Sequence, residues 1–306
     1  MKQYLVFLSF LASFYFGTTA LAKGFAVIGD TQRTLGVERI FLGRKQNDSQ
    51  RERIVQALAD AKPSYVVHLG DMVDWGGSGN AWDYYFDLMA PILQNQIPVH
   101  HVLGNHEYFG MTDAKARRKL KEIIPDLGDV TWRSIQKGPL LLILLNSNRS
   151  KLSKSEWKAQ ATWFQKTLQE CDLDPSVQAA LVFSHHPPYS NSKTVGDEED
   201  VIDFFVPAFQ SSKKALAYFS GHAHGYEHFL KKGRHFVVSG GGGGPRTKYH
   251  EGSKRKHEDL FKGPTPRPFH FLMLHPGANA IDVEVHGFYE KEEVGVLDRF
   301  TIPWSP

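Results

Sequence analysis

The sequence predicts an α/β layered domain, and two observations carry this prediction. Short apolar runs alternate along the chain with longer segments of helical periodicity, which is typical of layered α/β domains. The 306 residues are 41% hydrophobic, which is enough to bury a large core. We find neither an internal repeat nor a linker that would divide the chain. We therefore expect a single domain over residues 23–306.

The first half of the chain contains four predicted strands separated by helices. Gly-Asp follows each of the first two apolar runs, and Gly-Asn-His follows the third. Asp48 or Ser49 can cap a helix that Pro63 ends. The predicted strands are 24–29, 65–69, 98–103 and 140–146, and the predicted helices are 48–61, 81–93 and 112–124.

The second half begins with a helix and ends in a strand-rich third. Ser153 and Glu156 have the spacing of a capping box, which predicts a helix to about Glu170. The other predicted elements are a helix at 201–210 and strands at 178–183, 215–219, 235–239, 269–274, 281–286 and 298–302. Residues 240–268, with five consecutive glycines and then many cations and prolines, predict a long mobile loop.

The N-terminus has the pattern of a signal peptide over residues 1–22. Lys2 precedes an almost wholly apolar run, and Ala20-Leu21-Ala22 offers small residues for cleavage after Ala22. An uncleaved membrane anchor is the alternative, but residues 17–19 interrupt the run before it reaches spanning length. We expect a secreted or periplasmic protein without a membrane anchor after cleavage.

Charge and cysteine content exclude some classes. The net charge is only +3, which argues against a dedicated nucleic-acid-binding protein, and we expect no specific nucleic-acid partner. Cys171 is the single cysteine and is expected to be a packed residue. Five cations of the predicted loop form either a positive rim or a solvated face: Arg246, Lys248, Lys254, Arg255 and Lys256.

Polar motifs follow five of the predicted strands. Ligand sites of open α/β sheets lie at the carboxyl ends of strands, so residues distant in sequence can converge there. Carboxylates, imidazoles and amide oxygens are suitable ligands for a pair of divalent ions that one carboxylate can bridge. The motif residues are Asp30 and Gln32, Asp71 and Asp74, Asn105 and His106, His185, and His222 and His224.

In this order the motifs resemble those of the calcineurin-like metallophosphoesterases. The resemblance rests on Asp30-Thr31-Gln32, Gly70-Asp71-Met72-Val73-Asp74, Gly104-Asn105-His106-Glu107, His185 and Gly221-His222-Ala223-His224. It extends from about residue 24 to residue 244. It implies two central mixed β-sheets packed as a sandwich and flanked by helices.

The resemblance also implies a role for each motif residue. Asp30, Gln32 and His224 would hold one metal ion, and Asn105, His185 and His222 the other, while Asp71 would bridge them. His185 is preferred to His186 because it lies two residues before Pro187. His106 would assist the leaving group, and the carboxylate of Asp74 would orient its imidazole. The ions would be Mn, Fe or Zn.

Three departures limit what the resemblance implies. Gln32 stands where many members have His, so its metal should exchange more readily. Asp74 replaces the Tyr of the purple acid phosphatases, so we expect neither their colour nor a strong preference for ferric iron. Trp75 replaces the Arg of protein serine/threonine phosphatases, which disfavours that activity. Residues 239–245 form a glycine-rich turn that either approaches an anion or is a flexible loop.

These observations predict a hydrolase that acts on phosphate esters of small molecules, as a monoesterase or a diesterase. Two metal ions would lower the pKa of a water molecule, so that hydroxide is available near neutral pH. A nucleotide phosphodiesterase or pyrophosphatase is the alternative within this class. A metal-binding scaffold that kept the fold without turnover is the alternative outside it.

Overall fold

The computed structural model describes residues 24–304 apart from 125, 126 and 129. The predicted signal peptide lies outside the described residues. The strands are β1 (Phe25–Ile28), β2 (Val66–His68), β3 (Val99–His101), β4 (Arg133–Lys137), β5 (Leu140–Leu144), β6 (Ala179–Ser184), β7 (Ala215–Ser220), β8 (Tyr226–Lys231), β9 (Arg234–Ser239), β10 (Phe269–Pro276), β11 (Ala280–Phe288) and β12 (Gly295–Pro303). The helices are α1 (Gly36–Leu42), α2 (Asp48–Asp60), α3 (Gly79–Leu88), α4 (Ala90–Gln94), α5 (Asp113–Ile123), α6 (Lys154–Leu173) and α7 (Glu199–Ser211).

The strands form two six-stranded mixed sheets. The first has the order β12-β11-β10-β1-β2-β3, and the second has the order β4-β5-β6-β7-β9-β8. In the first, β1, β2 and β3 are parallel and β10 runs antiparallel to β1. In the second, β5, β6, β7 and β9 are parallel. The predicted fold class, two mixed sheets flanked by helices, is confirmed.

One large apolar cluster lies between the two sheets, and β1 contributes side chains to the packing on both of its faces. Phe25 and Val27 belong to this central cluster, whereas Ala26 and Ile28 pack with α2 on the outer side. Successive side chains of a strand point to opposite faces, so a wholly apolar strand is buried on both. A third cluster joins the outer face of the second sheet to α6 and α7.

Three elements were not predicted, and one predicted helix is divided. Helix α1 and strands β4 and β8 have no counterpart among the predicted elements. The predicted helix at 81–93 is two helices that meet at Met89, with Pro91 in the first turn of the second. Proline is tolerated in a first turn because the N–H groups there have no intrahelical partner.

Residues 240–268 are mostly irregular, as predicted, but the segment is packed against the domain. Tyr249 and Thr247 are buried, and both side-chain hydroxyls donate to the carbonyl of Ala223. The buried side chain of Arg267 pairs with Asp259. This packing differs from the solvated, mobile loop that the sequence predicts.

Within the described part of the chain, no helix is long and apolar enough to cross a membrane. Cys171 is buried in the cluster beneath α6, as expected for a packed residue. Burial raises the pKa of its thiol to about 11, so the group is a poor nucleophile at neutral pH.

Candidate metal centre

The five polar motifs meet where carboxyl ends of strands from both sheets face each other. The residues of the first sheet follow β1, β2 and β3, and those of the second follow β6 and β7. Four of the backbones adopt left-handed conformations, which cost non-glycine residues about 1–2 kcal/mol each. These residues are Asp30 (φ 61°), Asp71 (φ 53°), His222 (φ 66°) and His224 (φ 36°). Such strain clusters at functional sites, where it directs side chains.

One group of potential ligands consists of Asp30, Gln32, Asp71 and His224, all of them buried. Ligand atoms of the two carboxylates and His224 lie within 4.8 Å of one another. His224 Nε2 is 3.3 Å from Asp30 Oδ1, and Gln32 Nε2 is 3.0 Å from His224 Nε2. The polar atoms of these four residues thus surround one small volume.

A second group surrounds His185. Its Nε2 lies 3.1 Å from His222 Nδ1, 3.2 Å from Asn105 Oδ1 and 3.3 Å from Asp71 Oδ2. The same Asp71 Oδ2 is 3.3 Å from Gln32 Nε2 of the first group. Asp71 therefore lies between the two groups, and the structure brings all seven predicted ligands together.

The electrostatics of the second group suit a cation. Burial lowers the pKa of His222 well below its usual value, and the neighbouring His186 and His185 lower it further. Burial also disfavours protonated His185, but Asp71 outweighs it and raises that pKa to about 9. The neighbouring imidazoles hold the pKa of Asp71 well below its usual range, despite its burial. A metal ion would satisfy these donor atoms without protons between them.

The amide of Gln32 provides a further test of the fit. Its Oε1 is buried and has no hydrogen-bond partner among the residues that the structure describes, whereas Nε2 faces the ligand atoms. The two amide orientations have almost the same shape. The opposite orientation would turn the oxygen towards His224 and Asp71, as a metal ligand requires. We conclude that the residues present fit a pair of metal ions.

Hydrogen bonds on the far side of the ligands hold them in place. His185 Nδ1 is 2.9 Å from the carbonyl of Leu69, and His224 Nδ1 is 2.7 Å from that of Pro245. Such bonds place the proton on Nδ1 and leave the Nε2 lone pair facing the centre. The carboxylate of Asp30 accepts the backbone N–H of His222 at 3.0 Å. That bond connects the loops of the two sheets.

His106 lies beside the centre without belonging to either ligand group. Its Nε2 is 3.8 Å from Asp71 Oδ2, and its Nδ1 is 2.9 Å from the backbone carbonyl of Asp74. The Asp74 carboxylate instead pairs with Arg33 at 3.2 Å. The prediction that this carboxylate orients His106 is wrong: the carbonyl of the same residue holds the ring, because Arg33 draws the side chain away.

His186 is a close neighbour of the predicted ligand His185. Its ring, with those of His185 and His222, completes a group whose ligand atoms lie within 4.8 Å of one another. His186 Nδ1 bonds to Ser147 Oγ at 2.8 Å, and burial lowers its pKa to about 3. The Nε2 of His185, by contrast, faces both Asn105 and Asp71. This geometry favours His185 as the ligand.

Glu107, a residue for which the sequence indicates no role, supports two of the ligand loops. Its buried carboxylate accepts the N–H groups of Asp71 (3.0 Å), Met72 (2.8 Å) and Gly104 (2.7 Å). Burial, followed by the nearby charge of Asp71, raises the pKa of Glu107 to about 7. In the sequence, its position directly after His106 is the feature that could have indicated this supporting role.

The glycine-rich turn does not offer its amides to an anion at three of its positions. The N–H groups of Gly240, Gly242 and Gly244 donate to the carbonyls of Gly225, Gly29 and Asp30. Position 240 requires glycine because the chain passes close to Asp30: a Cβ there would lie 2.7 Å from Asp30 Oδ2. These three amides hold the turn against the centre, so they are not available to an anion, and the turn differs from a solvated flexible loop.

Trp75 provides an aromatic surface next to the centre. Its side chain is 45% exposed, and its ring centroid lies 5.8 Å from that of Phe109. Phe109 in turn contacts His106, with ring centroids 4.5 Å apart. An apolar or ring-bearing group held near His106 could pack on these two residues.

Comparison with protein families and solved structures agrees with this geometry. The family model described as calcineurin-like phosphoesterase matches residues 24–226. Among curated proteins, a segment of 56 residues is 41% identical to the probable inactive purple acid phosphatase 9 of Arabidopsis thaliana. That segment is 18% of this chain and 8% of the relative, so the chain matches only a small part of it.

Three solved structures share the fold at low sequence identity. The purple acid phosphatase PPD1 of yellow lupin has a TM-score of 0.71 at 18% identity, covering 92% of this chain and 53% of its own. GAP50, the anchor in the inner membrane complex of Plasmodium, has a TM-score of 0.68 at 15% identity. The match covers 93% of this chain and 89% of GAP50. A dimetal phosphatase from Danio rerio has a TM-score of 0.62 at 17% identity. The match covers 93% of this chain and 100% of the phosphatase chain.

Proposed function

The chain belongs to the calcineurin-like phosphoesterase family, and on that premise we propose that it hydrolyses phosphate esters of small molecules at a centre of two metal ions. The family and the fold support metal-dependent phosphoester hydrolysis in general. The observation that carries the proposal is the position of Asp71, whose Oδ2 lies 3.3 Å from both Gln32 Nε2 and His185 Nε2. One carboxylate between two ligand groups suits two ions that act on one phosphate.

The metal ions, His106 and the Asp74 carbonyl would have different roles in hydrolysis. Two bound ions, which we propose to be Mn, Fe or Zn, would supply a water molecule of lowered pKa and positive charge beside the phosphorus atom. His106 Nε2 faces the centre, so it is the atom that would give a proton to the departing oxygen. The carbonyl of Asp74 holds the ring in that orientation.

Two substrate classes fit the site, and one observation favours the alternative to a simple monoester. Trp75 is exposed beside Phe109, so a base or another ring of the substrate could stack there. This favours a nucleotide phosphodiesterase or pyrophosphatase as the second candidate. We propose a small phosphorylated substrate in either case and no specific nucleic-acid partner.

A scaffold without turnover is the rival from another class. One structural neighbour is an anchor protein, and the Arabidopsis relative is described as probably inactive. A chain that has lost turnover is expected to have lost ligands. Here every predicted ligand position carries a coordinating side chain, and the seven meet at one place. We therefore favour an enzyme.

The experiment is a metal analysis combined with a panel of phosphate esters. Protein loaded separately with Mn, Fe or Zn would be assayed on a nitrophenyl phosphate, a bis-nitrophenyl phosphate and a nucleoside diphosphate. We expect about two ions per chain and hydrolysis that a chelator abolishes. Two bound ions without turnover of any ester would support the scaffold instead.

We propose that the protein is exported and cleaved after Ala22, because the first 22 residues have the pattern of a signal peptide. Mass spectrometry of protein recovered from the periplasm or the medium should find a chain that begins at Lys23. An intact chain that begins at Met1 in a cytosolic fraction would contradict export.

A further inference from the structure

A cavity of about 730 Å³ adjoins the 244–247 segment, which also contacts the candidate metal centre. None of the seven predicted ligands lines it. The segment joins the two places: the N–H of Gly244 donates to the Asp30 carbonyl, and the Pro245 carbonyl accepts His224 Nδ1. Arg246 and Thr247, the next two residues, line the cavity. The cavity is thus adjacent to the metal centre but is lined by different residues.

The walls carry an excess of positive charge. The carboxylates in the lining are those of Glu251 and Glu290. Glu290 is shared by two cations, because it pairs with Arg246 and lies 3.6 Å from Lys45 Nζ. The cations that line the cavity are Arg44, Lys45, Lys193, Arg246 and Lys248. Arg44 pairs with Glu38, which lies outside the lining, and the other four cations still outnumber the two carboxylates.

Two of these cations are held side by side, and no ion pair to either is found in the described part of the chain. An antiparallel bridge pairs Ser192 with Tyr249, and the N–H of Lys193 donates to the Lys248 carbonyl at 2.8 Å. This register puts Lys193 opposite Lys248. Neither lysine has an ion-pair partner within residues 24–124, 127–128 and 130–304. Like charges directly opposite each other are unfavourable, and an anion between them would remove the repulsion.

The floor beneath the two lysines is rigid. Tyr249 and Thr247, on either side of Lys248, are buried and bonded to the carbonyl of Ala223. Asn47, which also lines the cavity, is buried and donates to the Gly244 carbonyl at 3.1 Å. A preformed cationic cavity loses little entropy when a ligand enters, and its volume suits a small organic phosphate.

We propose that this cavity is a second anion-binding site, which takes a small molecule with at least two phosphate groups. Lys193 and Lys248 contact one phosphate, and Arg246 and Lys45 contact another. Lysine binds phosphate as a point charge, and arginine adds directed N–H donors. The proposal is independent of turnover at the metal centre, because binding to these cations requires no metal ion.

Calorimetric titration of the full chain with inorganic pyrophosphate, after dialysis against a chelator, tests the proposal. Removal of metal ions prevents both hydrolysis and binding at the metal centre. We expect one site per chain, with an affinity that falls as salt is added. The double variant Lys193→Ala/Lys248→Ala should bind at least about tenfold more weakly, since two charged contacts with one phosphate are lost.

The matched control is Lys154→Ala/Lys158→Ala, which removes the same charge from exposed positions of α6. It should bind pyrophosphate as the wild type does. Circular dichroism verifies that the variants fold, and the milder Lys248→Gln replaces the double variant if that one does not. Absence of binding to the wild type, or equal weakening in both double variants, would overturn the proposal. Loss of ester hydrolysis alone would not affect it.

Discussion

The imidazole of His106 is held by the backbone of Asp74 and not by its carboxylate. His106 Nδ1 lies 2.9 Å from the Asp74 carbonyl oxygen, while the carboxylate is 3.2 Å from Arg33 Nη2. A carbonyl fixes the tautomer of a histidine as a carboxylate does, but it places no negative charge behind the ring. The position of residue 74 should therefore matter more to His106 than its side chain.

Replacement of the Asp74 side chain tests this relationship. In Asp74→Asn the carbonyl remains, so turnover of the metal-loaded protein should stay within about tenfold of the wild type. This loss is smaller than the one that removal of a positioned acid or base usually causes. Steady-state kinetics on an alkyl phosphate measures it. Asp87→Asn, an exposed change on α3, is the control. A loss as large as that of His106→Ala would instead assign the orienting role to the carboxylate.

Removal of the imidazole itself should separate chemistry from metal binding. His106→Ala should keep both ions, because the ring belongs to neither ligand group, and lose roughly 10²–10⁴ in turnover. The loss should be smaller for a nitrophenyl ester, whose leaving group needs no proton, than for an alkyl phosphate. Metal analysis and rates on both esters provide the measurement. Equal losses on the two esters, or a missing ion, would exclude a role in leaving-group protonation.

Glu107 should act on the metal centre without contacting an ion. Glu107→Gln has one acceptor oxygen for amides that two oxygens now serve, so the loops of Asp71 and Asn105 should loosen. We expect metal ions to leave at lower chelator concentration and the free energy of unfolding to fall by about 1–3 kcal/mol. Glu122→Gln on the surface of α5 is the control. Unchanged chelator sensitivity in Glu107→Gln would contradict this role.

The convergence of the ligands was predictable from the sequence, but their supporting contacts were not. Parallel strands end at one edge, so Asp30, Asp71 and Asn105 had to lie close together once β1, β2 and β3 were recognised. The direction of the Asp74 carboxylate depends on Arg33, 41 residues away, in a loop without periodicity.

The 240–268 segment and α1 both show that local sequence patterns do not determine which residues are buried. Composition predicts a mobile loop for the former, yet the buried Tyr249 donates to the Ala223 carbonyl and Asp259 accepts the N–H of His228, and these contacts hold the segment against the domain. Helix α1 carries Val37, Ile40 and Phe41 at helical spacing, which usually indicates burial, yet all three are exposed. Contacts of this kind depend on which elements become neighbours, and local patterns do not encode that.

Glu227, a buried carboxyl away from the metal ligands, should make stability depend on pH. Burial raises its pKa to about 7, so the folded protein favours the protonated form. Its contribution is fully present below the unfolded pKa near 4.5 and is lost as pH rises through 7. The loss should be on the order of 3 kcal/mol, and Glu227→Gln should remove it.

Urea unfolding between pH 4 and pH 8 measures the contribution of Glu227, with the exposed Glu52→Gln as control. The difference between wild type and Glu227→Gln should change across this range, whereas that between wild type and Glu52→Gln should stay nearly constant. A pH-independent difference for Glu227→Gln would show that the carboxyl titrates at the same pH in the folded and unfolded chain.

The bridging position of Asp71 is the most direct test of the whole account. Asp71→Asn keeps the shape of the side chain and removes the charge that two ions would share, so the metal content should fall well below two ions per chain, together with ester hydrolysis. Inductively coupled plasma mass spectrometry and the rate on a nitrophenyl phosphate, measured on the same sample, decide it. Two retained ions with undiminished hydrolysis would contradict a bridging carboxylate and the metal centre built around it.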